Sequence, residues 1–218
     1  MQLQRLLHKA LNSPYFSSDT AAPLQVSYQP GDSRLLVLTG DNATGKSFFL
    51  RLYQALCDQS IECMRVGMER RTQGGMERVF MYGDESWDST GNISAKCLLG
   101  GIQTCKNRKN PHYIIFDEPD TGLSEGYQYA MGLYIAKFMD ALPKKTKGVF
   151  ISTHSRYLAR PLLEYHPHHL RFGDNKTLAQ WAEQEPKLKS LEDLLSLKEK
   201  AHKRFLRIRR IINGGREK

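Results

Sequence analysis

Apolar residues in this chain fall into short runs with the length and composition of buried β-strands. RLLVLTG (34–40), HYIIFDE (112–118) and KGVFIST (147–153) are nearly continuous apolar stretches that end in glycine or polar residues. IECMRVG (61–67) and RVFMYG (78–83) are shorter runs of the same kind. The pattern therefore predicts strands in all five segments.

Helical spacing of apolar residues fills several segments around these strands. In Lys46–Asp58 the apolar positions recur every three or four residues, and similar spacing predicts helices over 1–10, 94–106 and 127–142. The segment 14–30, with its prolines and serines, predicts an irregular or short-stranded stretch. Alternating strands and helices predict an α/β fold with a mostly parallel sheet flanked by helices, which binds ligands beyond the carboxyl ends of its strands.

The last part of the chain predicts a separate amphipathic helix. Ser190–Asp193 forms a capping-box pattern, and apolar residues recur every three or four positions until Asn213 and two glycines end the pattern. Seven of the nine net positive charges fall after residue 186. We therefore divide the chain into a core over 1–186 and a basic tail over 187–218.

The composition indicates the cellular compartment and whether a membrane span, a disulfide or a metal site is expected. No apolar run is long enough to cross a bilayer, so we expect a cytoplasmic protein with no membrane partner. The four cysteines show no C-x-x-C spacing and are interpreted as reduced thiols. The histidines of EYHPHHLRF (164–172) are typical either of a metal site or of a turn running into a strand, and the turn is favoured because acidic and cysteine partners are missing nearby.

The first strand leads into GDNATGKS, which has the spacing of a phosphate-binding loop. Glycines let the backbone N–H groups wrap a phosphate together with the positive end of the following helix. Lys46 would reach the β and γ phosphates, and the Ser47 hydroxyl would ligate Mg²⁺. We expect ATP and Mg²⁺ as cofactors, with these residues around the nucleotide: Gly40, Asp41, Asn42, Ala43, Thr44, Gly45, Lys46, Ser47 and Phe48.

The strand HYIIFDE carries two adjacent carboxylates to its end, which is the Walker B pattern. Asp117 would hold Mg²⁺, largely through water, and Glu118 would be placed to polarise an attacking water. With the phosphate loop upstream, this pair predicts ATP hydrolysis. The alternative is that two acids merely end a strand.

The segment DEPDTGLSE (117–125) resembles the Walker B motif and D-loop of the ABC-type ATPases. This superfamily includes transporter nucleotide-binding subunits as well as the RecF, SMC and OLD types that act in DNA maintenance and defence. ISTHS (151–155) is similar to the switch-histidine strand of the family. The resemblance covers about residues 34–172 and implies that His154 touches the γ-phosphate, with Lys46 and Glu118 as the other catalytic residues.

The signature peptide of the family is not present verbatim, but Asp88-Ser89-Thr90-Gly91-Asn92 matches its order of residue types. The resemblance implies that Ser89 and Gly91 bind the γ-phosphate of ATP held by a second subunit, in an ATP-dependent head-to-tail homodimer. The alternative is a turn that only caps a helix.

Other family positions are less well matched. The D-loop aspartate is Ser124 here, and Gln73 is the candidate for the Q-loop glutamine that would contact the metal. Tyr15, Phe16 and Tyr28 are all candidates for an aromatic residue that stacks on adenine, and the sequence does not choose among them.

The short stretch between Gln73 and Ser89 has room neither for a transporter's helical subdomain nor for an SMC-type coiled coil. We therefore expect an ABC-type ATPase with a reduced helical subdomain, nearer to the RecF, SMC and OLD types. The alternatives are a transporter subunit and a non-hydrolysing, ATP-gated binding module.

The basic faces over Lys198–Arg210 point to a partner for this ATPase. Their charge density suits the phosphate backbone of DNA or RNA, which is the favoured interpretation, and a nuclease-like or acidic protein is the alternative partner. A helix that packs its apolar stripe on the core and only solvates its charges is the remaining interpretation.

Overall fold

A computed structural model of the chain describes residues 2–17, 24–57, 61–67, 88–186 and 188–213. Within these ranges, six strands form one sheet in the order β1-β6-β2-β5-β4-β3. The strands are β1 (Val26–Gln29), β2 (Leu35–Gly40), β3 (Glu62–Gly67), β4 (His112–Asp117), β5 (Thr146–Thr153) and β6 (His168–Phe172).

The sheet is parallel except for β1, which runs antiparallel to β6 at one edge. β5 lies between β2 and β4, with Thr39 of β2 opposite Thr153 and Asp117 of β4 opposite Ser152. Because neighbouring strands lie about 4.8 Å apart, the carboxyl ends of β2, β5 and β4 form a short row at one edge of the sheet. This edge is where a parallel sheet binds its ligands.

Helices cover both faces of the sheet, since successive strand residues point to opposite sides. On one face lie α1 (Gln2–Leu11) and α3 (Lys46–Leu56), and the short α2 (Pro14–Ser17) precedes β1. On the other face lie α4 (Thr90–Asn107), α5 (Glu125–Asp140), α6 (Arg156–Ala159) and α7 (Leu178–Glu183). The expected fold class is confirmed: a mostly parallel sheet flanked by helices, in which β2, a glycine-rich loop and α3 form the P-loop NTPase arrangement.

Two helices begin earlier than the sequence predicts. α4 begins at Thr90 because the Ser89 hydroxyl accepts a hydrogen bond from Asn92 N at 3.2 Å and caps the helix. A Cβ added to Gly101 would lie 3.0 Å from the Phe116 ring, so this glycine brings the helix close to the sheet. α5 begins at Glu125, directly after its N-cap residue Ser124.

The strand HYIIFDE is one residue shorter than predicted. β4 ends at Asp117, and Glu118 leaves the strand with φ of 51°. This left-handed conformation is uncommon for a residue with a side chain, and the backbone leaves the strand direction there. The backbone N–H of Glu118 is held by the carbonyl of Ser152 at 2.9 Å.

The histidine-rich segment is a turn that runs into a strand, as predicted. His166 ends a 3₁₀ helix (Arg160–Tyr165) with φ of 43°, and His168 and His169 lie in β6. His168 Nδ1 lies 2.9 Å from Tyr28 Oη, and His169 Nε2 lies 2.7 Å from Thr39 Oγ1. These histidines therefore join neighbouring strands.

The last helix, α8 (Leu191–Ile212), begins with both hydrogen bonds of the predicted capping box. None of its described residues is buried, and its apolar stripe includes these exposed side chains: Leu191, Leu194, Phe205 and Ile212. Leu197 and Ile208 are half-buried and α8 contacts α2, so the stripe packs on the core only in part.

Some predictions concern residues that the structure does not describe. The predicted strand over 78–83 and Gln73 both lie outside the described residues. Among the helices that are described, none combines the length and the apolar character needed to cross a membrane.

Candidate nucleotide site

The loop between β2 and α3 has the backbone that phosphate binding requires. Gly45 adopts φ of 111° at the N-cap of α3, and a Cβ added there would lie 2.6 Å from Leu24. Gly40 has φ of 153° and lies against Phe172 and the Thr44 hydroxyl. Both positions favour glycine, because residues with a side chain rarely adopt these φ values, and at Gly40 an added Cβ would also meet the Phe172 backbone. The loop and the start of α3 therefore depend on glycine at these two positions.

Lys46 lies folded under the loop and is 5% exposed. Its ammonium group donates to the carbonyl oxygens of Gly40 at 2.9 Å and Asp41 at 3.0 Å, and it lies 2.9 Å from His154 Nε2. Burial lowers the pKa of Lys46 to about 8, although the charges of Glu118 and Asp117 act in the opposite direction. The ammonium thus has three partners at the edge of the sheet where the phosphate loop begins.

His154 lies between Lys46 and Glu118, directly after β5. Its Nε2 lies 3.3 Å from Glu118 Oε1, so the same nitrogen faces a cation and a carboxylate. In the neutral imidazole Nε2 accepts from Lys46, and in the imidazolium it donates to Glu118. The hydrogen bond with His154 lowers the pKa of the Glu118 carboxyl. Lys46, His154 and Glu118, the three predicted catalytic residues, therefore lie together.

Asp117 forms a buried ion pair that the sequence analysis missed. Arg65 Nε lies 3.2 Å from Asp117 Oδ2, and the Arg65 Nη2 group also contacts this oxygen. Asp117 Oδ1 is buried and has no hydrogen-bond partner among the described residues. A signal was present: Arg65 is the one basic residue in the predicted strand IECMRVG, and a charge in a strand usually has a partner.

The oxygen groups at this edge fit a magnesium ion. Mg²⁺ takes oxygen ligands, and in nucleotide sites it is held by one or two protein groups together with phosphates and water. Asp117 provides an uncommitted carboxylate oxygen, and the Ser47 hydroxyl follows Lys46 in the first turn of α3. No cluster of three or more histidine, cysteine, aspartate or glutamate side chains suited to a metal occurs in the described ranges.

The segment predicted as a signature lies on the other face of the sheet from the phosphate loop. Ser89 is exposed at the N-terminus of α4. Gly91 packs against the D-loop-like segment, because an added Cβ would lie 2.7 Å from the carbonyl oxygen of Gly122. A further hydrogen bond joins these segments, from Ser94 Oγ to Thr121 O at 2.7 Å. The structure therefore brings Ser89 and Gly91 to the D-loop-like segment of their own chain.

Aromatic residues near the phosphate loop divide into two groups. Tyr15 and Phe16 contact Phe48, the residue after Ser47, with ring centroids 5.1 and 6.3 Å away. Tyr28 instead stacks on His168, with centroids 6.0 Å apart. Tyr15 and Phe16 therefore lie beside the first turn of α3. Tyr28 instead contacts His168 at the antiparallel edge of the sheet.

A cleft of about 880 Å³ separates the phosphate loop from the start of α8. Asp41, Asn42 and His154 line one side, and Lys189 and Leu194 line the other. Lys189 Nζ lies 2.5 Å from Asp41 Oδ2. The basic tail thus begins beside the loop, which the sequence analysis did not predict.

Comparison with family models and with curated proteins finds no match. Among solved structures, the chain is similar to a structure of the E. coli MS115-1 HORMA:CdnC:Trip13 complex, with 13% identity, a TM-score of 0.41, and coverage of 80% of this chain and 61% of that chain. It is also similar to the crystal structure of Cdc6p from Pyrobaculum aerophilum, with 14% identity, a TM-score of 0.38, and coverage of 78% and 44%.

The chain thus spans less than two thirds of the length of either solved structure. TM-scores of this size carry no argument about function. The assignment of the P-loop NTPase fold therefore rests on the strand order and on the geometry of the loop.

Proposed function

We propose that this protein is a magnesium-dependent ATP hydrolase of the ABC type. The observation that carries the proposal is the grouping of Lys46, His154 and Glu118 at the edge of the sheet where the phosphate loop begins. Nζ of Lys46 lies 2.9 Å from Nε2 of His154, which lies 3.3 Å from Oε1 of Glu118. A cation, an imidazole and a carboxylate in contact provide the charge clamp and the base that phosphoryl transfer to water requires.

Each of these residues has a proposed role. The N–H groups of the loop and the Lys46 ammonium would hold the β and γ phosphates, and Lys46 would exchange its bonds to Gly40 and Asp41 for phosphate oxygens. Glu118 would accept a proton from the water that attacks the γ-phosphorus, as ADP leaves. His154 would donate a hydrogen bond to a γ-phosphate oxygen.

Ser47 and Asp117 would hold Mg²⁺, for which Asp117 has an uncommitted oxygen. When bound, Mg²⁺ neutralises charge on the phosphate oxygens. Tyr15 would contact the adenine ring, a proposal supported by its position beside Phe48. Gln73 stays a proposal that rests on the sequence alone.

A head-to-tail dimer is part of the proposal. Ser89 and Gly91 would bind the γ-phosphate of a second copy, as implied by the resemblance to ABC-type ATPases. The support is that α4 and α3 pack on opposite faces of the sheet, so Ser89 lies on the other side of the sheet from α3 and the loop of its own chain. The capping role of Ser89 does not compete with this proposal, because the residue is exposed.

We further propose that the basic tail, 187–218, is a unit distinct from the ATPase core, 1–186, and binds DNA or RNA. The exposed side chains of α8 support this, since no described residue of the helix is buried. A nuclease-like or acidic protein is the second candidate partner, favoured by the exposed leucines, which a phosphate backbone would not cover. A cytoplasmic location is proposed from the sequence alone.

The test is ATP turnover by matched variants. Glu118→Gln should keep nucleotide binding and lose about 100-fold or more in phosphate release, since it removes the base but not the phosphate clamp. Lys46→Ala should lose binding of a fluorescent ATP analogue. Glu164→Gln, an exposed glutamate on the 3₁₀ helix, is the matched control and should behave as wild type.

Two outcomes would contradict the proposed hydrolysis mechanism, and a third would favour a different type of ABC ATPase. Turnover by Glu118→Gln at the wild-type rate would remove the base assignment. ATP binding by the wild type without phosphate release would favour a gated binding module. Co-purification with a membrane protein from the native host would favour a transporter subunit.

A further inference from the structure

Arg65 and Asp117 form an ion pair between the two strands at one edge of the sheet. Arg65 lies in β3, two residues before Gly67, which pairs with Asp117 in the parallel register. The side chains of Arg65 and Asp117 are 10% and 6% exposed. Since Nε and Nη2 of Arg65 both donate to Oδ2, the guanidinium binds one oxygen of the carboxylate twice.

The other oxygen of Asp117 has a different environment. Oδ1 is buried, and among the described residues it has no hydrogen-bond partner. The backbone of β3 also closes on Asp117, because a Cβ added to Gly67 would lie 2.7 Å from the Asp117 carbonyl oxygen. Asp117 is therefore held on one side by Arg65 and Gly67, with Oδ1 as its uncommitted oxygen.

This arrangement has an electrostatic consequence for a divalent cation. A carboxylate that is already neutralised by a guanidinium attracts a metal ion weakly, and the positive charge of Arg65 repels that ion at short range. A triphosphate on the loop would bring enough negative charge to reverse this balance. The free protein and the nucleotide complex should therefore differ in their affinity for the metal.

We infer that Arg65 is a positioning residue that presents Oδ1 of Asp117 to the metal and restricts metal binding to the nucleotide complex. The inference rests on the proposed function, because it takes Asp117 to be a magnesium ligand. It goes beyond that function by assigning the order of binding: the metal enters with the nucleotide and does not bind beforehand.

The experiment measures binding of Mn²⁺ alone to the nucleotide-free protein, by the loss of the free Mn²⁺ spectrum in electron paramagnetic resonance. Wild type should bind weakly. Arg65→Met, which keeps the volume and removes the charge, should bind Mn²⁺ about tenfold more tightly or better. Arg65→Lys keeps the charge and should bind as weakly as wild type.

Two further variants locate the effect. The double variant Arg65→Met with Asp117→Asn should lose the Mn²⁺ affinity that Arg65→Met gains. Since both charges are removed together, neither is left buried without its partner. Arg108→Met is the matched control, because Arg108 pairs with Glu62 at the opposite end of β3. It should bind Mn²⁺ as wild type does.

A second measurement isolates the positioning role. With a non-hydrolysable ATP analogue present, Arg65→Lys should need a several-fold higher Mn²⁺ concentration than wild type for half-saturation of the metal site. The lysine ammonium cannot hold the carboxylate by two N–H groups in fixed geometry, as the guanidinium does. Thermal melting of each variant checks folding, and if Arg65→Met does not fold, Arg65→Lys with the analogue decides.

Equal Mn²⁺ affinity of folded Arg65→Met and wild type without nucleotide would overturn the inference. So would wild-type metal dependence of Arg65→Lys with the analogue. A wild-type protein that binds the analogue and Mn²⁺ but releases no phosphate would overturn the proposed hydrolysis while leaving this inference standing.

Discussion

Lys189, just before the last helix, forms an ion pair with Asp41 of the phosphate loop at 2.5 Å, although 148 residues separate them. Partial burial acts to raise the pKa of Asp41, but the hydrogen bond and charge of Lys189 bring it below its ordinary value. The tail therefore neutralises a carboxylate of the loop that we propose binds the phosphates of ATP.

Removing this lysine should weaken ATP binding slightly. Lys189→Met leaves the Asp41 charge uncompensated, and because exposed ion pairs contribute about 1 kcal/mol or less, we expect a loss of no more than about fivefold. Adding Asp41→Asn should restore the affinity, which titration with a fluorescent ATP analogue would measure. A double variant no better than Lys189→Met would show that the pair is not coupled to the nucleotide.

Ser89 offers a clean test of the proposed dimer. Gly91 is unsuitable, since its substitution would force the chain against Gly122. Aspartate is a good N-cap residue, so Ser89→Asp should keep α4 folded while placing a negative charge against the γ-phosphate of the second copy. In the Glu118→Gln background with ATP, light scattering should detect a dimer that Ser89→Asp abolishes.

The control for this dimer test is Ser89→Asn, a neutral residue that also caps helices. It should form the dimer as Ser89 does, apart from a modest loss of affinity. A Ser89→Asp protein that still dimerises with ATP would contradict the signature assignment and leave Ser89 as a helix cap alone.

The basic helix should bind nucleic acid through its phosphates. Each neutralised phosphate releases counterions, so affinity for a labelled duplex should fall roughly a thousandfold between 50 and 200 mM salt if six contacts form. A chain truncated after Glu185 should keep its ATPase rate at saturating ATP, because α8 contributes no buried residue and the lost Lys189 affects only nucleotide affinity. It should lose most of the nucleic-acid binding.

A milder variant separates charge from loss of the helix. Arg207, Arg209 and Arg210 changed together to glutamine keep good helix formers and should weaken binding and flatten the salt dependence. Lys144 and Lys145, exposed on the core, are the matched control when changed to glutamine. Equal binding of the duplex by the truncated and full chains would contradict nucleic-acid binding by α8 and favour the acidic protein partner.

His169 should make the fold sensitive to mild acid. Burial lowers its pKa from 6.5 to about 4, with a smaller contribution in the same direction from the charge of Arg171. Between pH 6.5 and pH 4 the histidine is therefore protonated in the unfolded chain but not in the folded chain. The free energy of unfolding is thus highest above pH 6.5 and decreases as the pH falls toward 4. We expect a loss of about 2 kcal/mol between pH 7 and pH 5.

Urea unfolding at the two pH values measures this loss. His169→Asn cannot titrate there, so its stability should depend less on pH than that of the wild type. Burial also lowers the pKa of His168, which adds to the effect in the same direction and will remain in the variant. An equal pH dependence in both proteins would show that His169 is not the group responsible.

Much of the core of this protein could be read from local patterns. The buried strands, the phosphate loop, the capping box at Ser190 and the basic charge of the tail follow from residue type and spacing, because each depends on neighbours a few positions away. Helix ends were less well predicted. The start of α4 depends on whether Ser89 caps the helix, and a single sequence cannot distinguish that from a cap further along.

The residues that meet at the site were only partly predictable. Lys46, Glu118 and His154 could be named from motifs, but their contact needs β5 to lie between β2 and β4, and strand order is a property of the whole sheet. The ion pair of Arg65 with Asp117 depends on the same strand order, since β3 must lie beside β4 in one particular register.

The sequence by itself therefore determined the buried strands β2, β4 and β5, the glycine-rich loop and the chemistry of each side chain, because these depend on short-range spacing. Only the tertiary structure decided which distant groups share a site: Arg65 with Asp117, Gly91 with Gly122, and Lys189 with Asp41. Such contacts join segments far apart in the chain. They depend on how the helices and strands pack as a whole, and periodicity along a single chain carries no record of that packing.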